Sequence, residues 1–485
     1  MFIKYSLAAA VVLAAASVVV AEEETVVGTE LGTVFTVPID VHDIPENRNQ
    51  FAATKHYLRK RQAAPDIALT SVYGDVLYSV PMTLGTPPQK FNLAIDTGSY
   101  VTWVVSSSCI AGACANITNH FNPALSSTAQ LMPNSFEAQY VSGDKVSGVY
   151  MTEQYGIGNL NFKGIAGLVN VNQASLPPTV DGIMGLWSTA PGDSPILKVL
   201  SSTNALAKNQ IGVWLQANDP PAKGSPRRNA AGGEITFGGA NAARYKEPIT
   251  YVNCVGDAPW MVSVTAMSVG GRAIATGGAI ATIDTGTSLM VIPELVADSI
   301  HSAIPGSFKS LQYGWFMPCD GTTPITITLG NFVTTIPYKS FAIQDSYATL
   351  NTGRIVCLSS AMYPMGATIP IKDWLLGGVF LKNMYSIYDF DPSVPGGRIG
   401  FAALAVGGNA GTGPVGTVQP GAGGSAGNGN GNNTGNGNNN NNNNNNKGNG
   451  GVVASDSSQL SPEWRVVLLL QALTVVAAGV VSLVL

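Results

Sequence analysis

Charged side chains are scarce in this chain. Of 485 residues only 11% are Asp, Glu, Lys or Arg, and the formal net charge is −4. A nucleic-acid-binding surface needs a clustered excess of Lys and Arg, so no nucleic-acid partner is predicted. Histidine is also rare, with four in the whole chain, and none stands at ligand spacing from any of the five cysteines. A metal site built from Cys and His is therefore not predicted.

Long apolar runs are absent from the body of the chain and occur only at its two ends. The first 21 residues contain Lys4, an apolar stretch from Leu7 to Val20 and a small residue, Ala21. This order predicts a secretory signal peptide over residues 1–21. The dibasic pair Lys60-Arg61 follows shortly afterwards. We interpret it as a processing site that removes a propeptide over residues 22–61, the alternative being an ordinary basic surface pair.

At the other end, Val466 to Leu485 is apolar and no basic residue follows it. Small residues and a polar spacer precede this tail, a pattern typical of a glycosylphosphatidylinositol (GPI) anchor signal. We predict attachment at Ser455 with residues 456–485 as the signal, which locates the protein outside the cell, on the plasma membrane or in the wall. A retained transmembrane helix is the alternative, although a basic cytoplasmic flank would be expected beside it.

Residues 404–455 are dominated by Gly and Asn, including nine consecutive Asn from Asn438 to Asn446. Such a segment has almost no apolar surface to bury, so it cannot offset the entropy cost of folding. It is predicted to be a disordered stalk that holds a folded region away from the membrane.

The cysteine pattern fits an exported protein. Cys109 and Cys114 enclose only four residues, and Cys319 and Cys357 lie 38 positions apart. Sequence alone leaves the pairing open, and Cys254 is our candidate for the unpaired thiol. Asn-X-Thr sequons begin at Asn116 and Asn432, and both are predicted glycosylation sites.

An internal repeat carries the chemistry. The run Leu93-Ala94-Ile95-Asp96-Thr97-Gly98-Ser99 recurs 188 residues later as Ala281-Thr282-Ile283-Asp284-Thr285-Gly286-Thr287. Each copy is followed about 85 to 90 residues later by an element of apolar residues and Gly, which are Ile183-Met184-Gly185 and Leu375-Leu376-Gly377. Two halves with the same order of motifs predict two similar lobes.

Each repeat ends an apolar strand in a carboxylate and a glycine. The glycine permits a sharp turn that holds the aspartate where the chain reverses. A single copy is explained by a structural role in which the carboxylate caps the turn through Ser99 or Thr287, but two copies are not. Two lobes can bring Asp96 and Asp284 face to face, where like charges cannot both ionise near neutral pH. One would then act as a base and the other as an acid on a shared water.

On these motifs, residues 72–403 resemble the pepsin-like aspartic proteases, and in particular the fungal members held at the cell surface by GPI anchors. The resemblance implies an all-β fold of two lobes, over residues 62–245 and 246–403, with a substrate cleft between them. Asp96 and Asp284 would be catalytic. The other site residues that it implies are Thr97 and Thr285 as a brace between the loops, Ser99 and Thr287 as carboxylate partners, Tyr140 and Asp144 in a β-hairpin flap, Trp103 bonded to Tyr140, and disulfides Cys109–Cys114 and Cys319–Cys357.

The resemblance also implies an activity. A secreted monomeric endopeptidase would cleave polypeptides at acid pH with an activated water, and it would need no cofactor. Val141 stands where the family usually has Gly, and Cys254 has no expected counterpart. The loop between the first two cysteines lacks the acidic insertion of the basic-specific yapsins, which favours apolar specificity. A weak basic preference through Asp144 is the alternative, and a catalytically silent surface-binding protein is the alternative of another class.

Overall fold

The computed structural model describes residues 66–405, except 73, 141–144, 175, 190–191, 220–228, 257–259, 312, 351–352 and 364–372. Nearly all of its regular structure is β-strand, which confirms the predicted all-β fold class. The signal peptide, the propeptide, the GPI signal and all but the first two residues of the stalk lie outside the described residues, as do Asp144, Asn432 and Ser455.

The first half of the chain contains twelve of the described strands. They are β1 (Asp66–Val72), β2 (Leu77–Leu84), β3 (Gln89–Asp96), β4 (Trp103–Val105), β5 (Gln130–Gln139), β6 (Lys145–Ile157), β7 (Leu160–Asn172), β8 (Gly182–Gly185), β9 (Ser188–Thr189), β10 (Gly192–Asp193), β11 (Gln210–Leu215) and β12 (Ala230–Phe237). Helix α1 (Pro195–Ser202) and two short 3₁₀ turns, Gly112–Asn116 and Pro123–Leu125, complete this half.

The second half contributes fifteen described strands and three short helices. The strands are β13 (Tyr245–Asn253), β14 (Met261–Val269), β15 (Arg272–Ile274), β16 (Ile280–Ile283), β17 (Met290–Val291), β18 (Phe308–Ser310), β19 (Gly314–Pro318), β20 (Ile325–Leu329), β21 (Phe332–Ile336), β22 (Ala342–Thr349), β23 (Ile355–Ser359), β24 (Ala361–Met362), β25 (Trp374–Leu376), β26 (Tyr385–Asp389) and β27 (Arg398–Leu404). The helices are α2 (Glu294–Ser302), α3 (Tyr338–Phe341) and α4 (Gly378–Leu381).

One 13-stranded sheet joins the two halves. Its order is β13-β27-β26-β11-β12-β1-β2-β3-β8-β4-β7-β6-β5, so β26 of the second half lies beside β11 of the first half. Two further sheets build the second lobe. One has eight strands, with seven in the order β21-β20-β14-β16-β25-β17-β24 and β15 paired to β14, and the other has four strands in the order β18-β19-β23-β22. The division predicted at residues 245 and 246 thus falls at the start of β13, within the shared sheet.

Two apolar clusters stabilise this arrangement. The larger contains side chains from both halves, including Ile95 and Ile283, which directly precede the two repeated aspartates. The smaller lies in the first lobe, and its aromatic members are Trp103, Phe136 and Tyr140. Burial of such side chains contributes roughly 25 cal/mol for each Å² removed from water, so the strands that end in the aspartates are held firmly.

Both disulfides that the resemblance implied are present. Cys109 and Cys114 have Cα atoms 5.8 Å apart, and those of Cys319 and Cys357 are 4.9 Å apart. Cys254 carries a free thiol. Burial, and secondarily the nearby Asp389 carboxylate, raise the pKa of this thiol to about 12. It is therefore protonated, and a reactive thiolate is not expected there.

Candidate active site

Parallel strand pairing explains why each half carries two motifs. Strand β3 pairs with β8 so that Asp96 lies opposite Gly185. In the second half β16 pairs with β25, with Ile283 opposite Leu376, and the Asp284 N–H donates to the Leu376 carbonyl at 3.1 Å. The second motif of each repeat is thus the strand beside the aspartate.

The glycine of that second motif allows a close approach of the backbone, a role that sequence reasoning missed. A Cβ added at Gly185 would lie 2.7 Å from the Ser99 carbonyl oxygen, and one at Gly377 would lie 2.0 Å from that of Thr287. Any larger residue would displace the loop that follows the aspartate. The only signal in the sequence was that both copies of the motif contain glycine at this point.

The two loops bring Asp96 and Asp284 together in the interior. Asp96 is 1% exposed and Asp284 is fully buried. The Gly98 N–H lies 2.8 Å from Asp96 Oδ1 and 3.2 Å from Asp284 Oδ1, so one donor contacts both carboxylates. The Gly286 N–H donates to Asp284 Oδ1 at 2.9 Å. The predicted pair is therefore assembled from residues 188 positions apart.

Each outer carboxylate oxygen has a hydroxyl partner. Ser99 Oγ donates to Asp96 Oδ2, and Thr287 Oγ1 donates to Asp284 Oδ2 at 2.6 Å. These bonds fix the plane of each carboxylate. The inner oxygens are left facing the partner lobe, as an acid–base pair acting on one bound molecule requires.

Thr97 and Thr285 brace the loops against each other. The Thr97 N–H donates to Thr285 Oγ1 at 3.1 Å, and the Thr285 N–H donates to Thr97 Oγ1 at 3.0 Å. Each hydroxyl in turn donates at 3.0 Å across the interface, Thr97 to the Ile283 carbonyl and Thr285 to the Ile95 carbonyl. Four buried bonds, each worth about 1 kcal/mol net, therefore hold the two lobes in register at the carboxylates.

A further residue, Tyr388 on β26, lies next to the Asp284 loop, and no sequence motif predicted its position. Its ring packs edge-on against Trp260, with centroids 5.0 Å apart, and its hydroxyl lies 3.5 Å from the Ile283 carbonyl. Burial raises the pKa of Tyr388 above its usual value, while a hydrogen bond with Thr97 opposes that shift. The phenol therefore stays neutral and contacts the backbone at Ile283, next to Asp284.

The electrostatics of the pair favour a bound proton. Burial raises the pKa of Asp96 well above its ordinary value, and the charge of Asp284 raises it further, while the Ser99 and Gly98 hydrogen bonds act in the opposite direction. Burial also raises the pKa of Asp284, opposed by Thr287 and Gly286. Because the second ionisation would place two like charges side by side, the pair retains one proton to a higher pH than an isolated carboxyl would.

The remaining predicted site residues fall into two groups. Trp103 Nε1 donates to the Tyr140 hydroxyl at 2.7 Å. Tyr140 directly follows strand β5 and is buried. Val141 to Asp144, the predicted hairpin tip, lie outside the described residues. Asn116 is exposed, and the hydroxyl of its sequon partner Thr118 donates to the Pro178 carbonyl.

Over the described ranges no three Asp, Glu, His or Cys side chains form a metal-binding group, and no helix is long and apolar enough to cross a bilayer.

Comparison with known proteins agrees with the resemblance that the sequence motifs indicated. The family model described as eukaryotic aspartyl protease matches residues 77–404. A protein of Arthroderma otae named "Probable aspartic-type endopeptidase CTSD" is 32% identical over 322 residues, which cover 64% of this chain and 78% of the relative. Cathepsin D of Chionodraco hamatus is 30% identical over 70% of this chain and 84% of its own length, and aspartic-type endopeptidase ctsD of Aspergillus fumigatus is 29% identical over 76% and 74%.

Proposed function

The chain belongs to the family of eukaryotic aspartyl proteases and is an aspartic endopeptidase, and we propose that Asp96 and Asp284 perform its catalysis. The observation that carries this assignment is the shared Gly98 N–H, which contacts an oxygen of each buried carboxylate. A water between these oxygens would be placed to attack the carbonyl carbon of a peptide bond. The catalytically silent alternative is set aside, because the chain keeps both carboxylates and their hydroxyl partners.

The mechanism follows from one shared proton. The ionised carboxylate takes a proton from the water while the oxygen of the water bonds to the scissile carbonyl carbon. The protonated carboxyl gives its proton to the carbonyl oxygen. The tetrahedral intermediate then collapses, a proton passes to the leaving nitrogen and the C–N bond breaks. Thr97 and Thr285 act as positioning residues, because they hold the loops and touch no reacting atom. One chain supplies both aspartates, so we propose that the enzyme acts as a monomer.

We expect the rate to peak at acid pH and to fall towards pH 7. The pKa of both carboxyls is raised, so the singly protonated pair persists above the range of an isolated aspartate and is lost as pH rises through the raised pKa of Asp96. At lower pH both groups bind protons and the base is lost. The measurement is kcat/KM on an unbiased peptide library between pH 2 and 9, and an optimum at pH 8 or above would contradict the assignment.

We propose general apolar specificity for the enzyme. Tyr140 belongs to the smaller apolar cluster of the first lobe, which also contains Ala94, Val180 and Ile183. An apolar surface disfavours a charged substrate group, because the group would lose its hydration without gaining a partner. The alternative, a weak basic preference, depends on Asp144, which lies outside the described residues.

We also propose that the enzyme is exported as a glycosylated zymogen and anchored by a lipid. Lys60-Arg61 marks the end of a propeptide whose Lys55, His56 and Arg59 would face the ionised pair at neutral pH and be released when carboxyls protonate. The Gly/Asn-rich stalk up to Ser455 would hold the lobes away from the membrane, and the tail Val466 to Leu485 would be exchanged for the lipid.

The mature chain is therefore expected to begin near Gln62 and to end at Ser455. Terminal sequencing and mass spectrometry of the cell-associated enzyme measure both ends, and phosphatidylinositol-specific phospholipase C should release active protein. Glu22 at the start of fully active enzyme would contradict the zymogen. Peptides ending at Leu485 would contradict the anchor and leave a membrane-spanning tail in its place.

A further inference from the structure

Trp260 has a backbone conformation that bulky residues rarely adopt. Its φ of 47° lies in the left-handed region, where the Cβ of any residue other than glycine crowds the following carbonyl oxygen. The side chain is also 1% exposed. Backbone strain of this kind persists only where the surrounding structure enforces it, and it occurs most often at functional sites. The contacts that enforce this conformation therefore bear on function.

Trp260 connects the backbone at Asp96 with strand β16, which directly precedes Asp284. Its indole N–H donates to the Leu186 carbonyl at 2.9 Å, and the Leu186 N–H donates to the Asp96 carbonyl at 2.8 Å. On the other side, the Ile283 N–H donates to the Trp260 carbonyl at 3.1 Å. Three consecutive hydrogen bonds thus run from the backbone of one aspartate to the residue before the other.

This path is buried and is separate from the threonine brace. Leu186 and Ile283 are both fully buried. Thr97 donates to the Ile283 carbonyl, whereas Trp260 accepts from the Ile283 N–H, so both backbone groups of Ile283 are held. The edge-on contact of the Trp260 ring with Tyr388, at 5.0 Å between centroids, fixes the direction of the indole N–H. Because an unpaired buried backbone group is costly, the three bonds constrain the separation of the two loops.

We propose that Trp260 is a positioning residue that sets the separation of the Asp96 and Asp284 carboxylates through its bond to the Leu186 carbonyl. The left-handed φ lets one residue direct its indole N–H to the first half of the chain and its carbonyl to β16. Its effect on the rate is geometric, because proton transfer between two carboxyls and one water requires all three to be within hydrogen-bond reach. This inference deepens the proposed function and rests on the assignment of the two aspartates.

The test removes the indole N–H and keeps an aromatic ring. Trp260→Phe does so with a smaller ring, and incorporation of benzothienylalanine in place of Trp260 keeps the two-ring shape with sulfur where the N–H was. Either change should lower kcat about tenfold or more, because a displacement of about 1 Å at a reacting group costs about 100-fold. KM should change less than about threefold, since the lost interaction is not one with the substrate.

The pH profile gives a readout that a merely structural role would not move. Carboxylates that lie farther apart repel each other less, so the second of the pair ionises more readily. The alkaline limb of kcat/KM should therefore move to lower pH in both Trp260 variants. The wild-type position of this limb is measured with the same peptide.

Trp315→Phe is the matched control, because it also removes one indole N–H from a 1% exposed tryptophan. Trp315 lies on β19, and its N–H donates to Asp298 on α2 at 2.8 Å. This variant should unfold at a lower temperature than the wild type but keep the wild-type kcat and pH profile.

Four outcomes would overturn the role of Trp260. These are a wild-type kcat in the folded variants, a loss confined to KM, an alkaline limb that does not move, and an equal loss of kcat in Trp315→Phe. If Trp260→Phe does not fold, the benzothienylalanine variant decides the test. Failure of the catalytic assignment is distinguishable from all of these, because hydrolysis would then survive in Asp96→Asn whatever Trp260 does.

Discussion

Replacement of Asp96 or Asp284 by asparagine is expected to lower kcat/KM by about four orders of magnitude or more. Asparagine fills nearly the same volume but can neither accept a proton from the attacking water nor give one to the carbonyl oxygen, so either change removes half of an acid–base pair. Groups that act as a unit show losses of this size when any one member is removed. Initial rates of the purified, processed variants on a peptide that the wild type cleaves well provide the measurement.

Stability separates a chemical loss from a folding defect in these variants. In the wild type the raised pKa of both carboxyls means that folding favours their protonated forms, so stability is present at acid pH and is lost as pH rises through the folded-state values. An uncharged asparagine relieves the repulsion between the two carboxylates. Each variant should therefore unfold at a temperature equal to or above that of the wild type at pH 7. Substantial activity in a folded single variant would refute the assignment of that aspartate.

Much of this site was predictable because the Asp-Thr-Gly motif occurs twice in the chain. The repeated Asp-Thr-Gly predicted two lobes and a facing pair, and the structure places Asp96 and Asp284 beside one donor. Because the two halves carry the same motif after similar strands, the repeat predicts that both lobes hold it in equivalent positions. The positions of Trp103 and Tyr140 came from the family resemblance rather than from any local pattern.

Features that depend on long-range contact were not predictable in this way. Tyr388 reaches the loops because β26 returns to the first half's sheet, and no local pattern around residue 388 indicates that pairing. The same holds for Tyr100 and Trp187, which are 87 residues apart and meet because β3 and β8 are parallel neighbours. The sharing of one 13-stranded sheet by both halves likewise depends on strand order, which composition and periodicity do not encode.

The second prediction with a large expected effect concerns the two loop glycines. Replacement by alanine at Gly286 should lower the rate more than the same replacement at Gly98. A Cβ added at Gly286 would lie 2.4 Å from Asp96 Cγ, whereas one at Gly98 would come no nearer than 3.0 Å to Asp284 Oδ1. Non-bonded carbon atoms favour a separation of about 3.5 to 4.0 Å. Gly286→Ala therefore forces Asp96 or its loop to move by about 1 Å, while Gly98→Ala requires only a few tenths of an ångström.

A misplacement of about 1 Å at a reacting group costs about 100-fold in rate, so Gly286→Ala should lose about that factor in kcat and Gly98→Ala clearly less. Neither glycine has a positive φ, so alanine brings no backbone strain, and the difference reports the crowding of the opposite carboxylate alone. The measurement is kcat and KM of both variants on one peptide, with thermal unfolding of each as the control. Equal losses in the two variants, or a greater loss in Gly98→Ala, would show that the close approach of Gly286 to Asp96 does not limit the geometry of the pair.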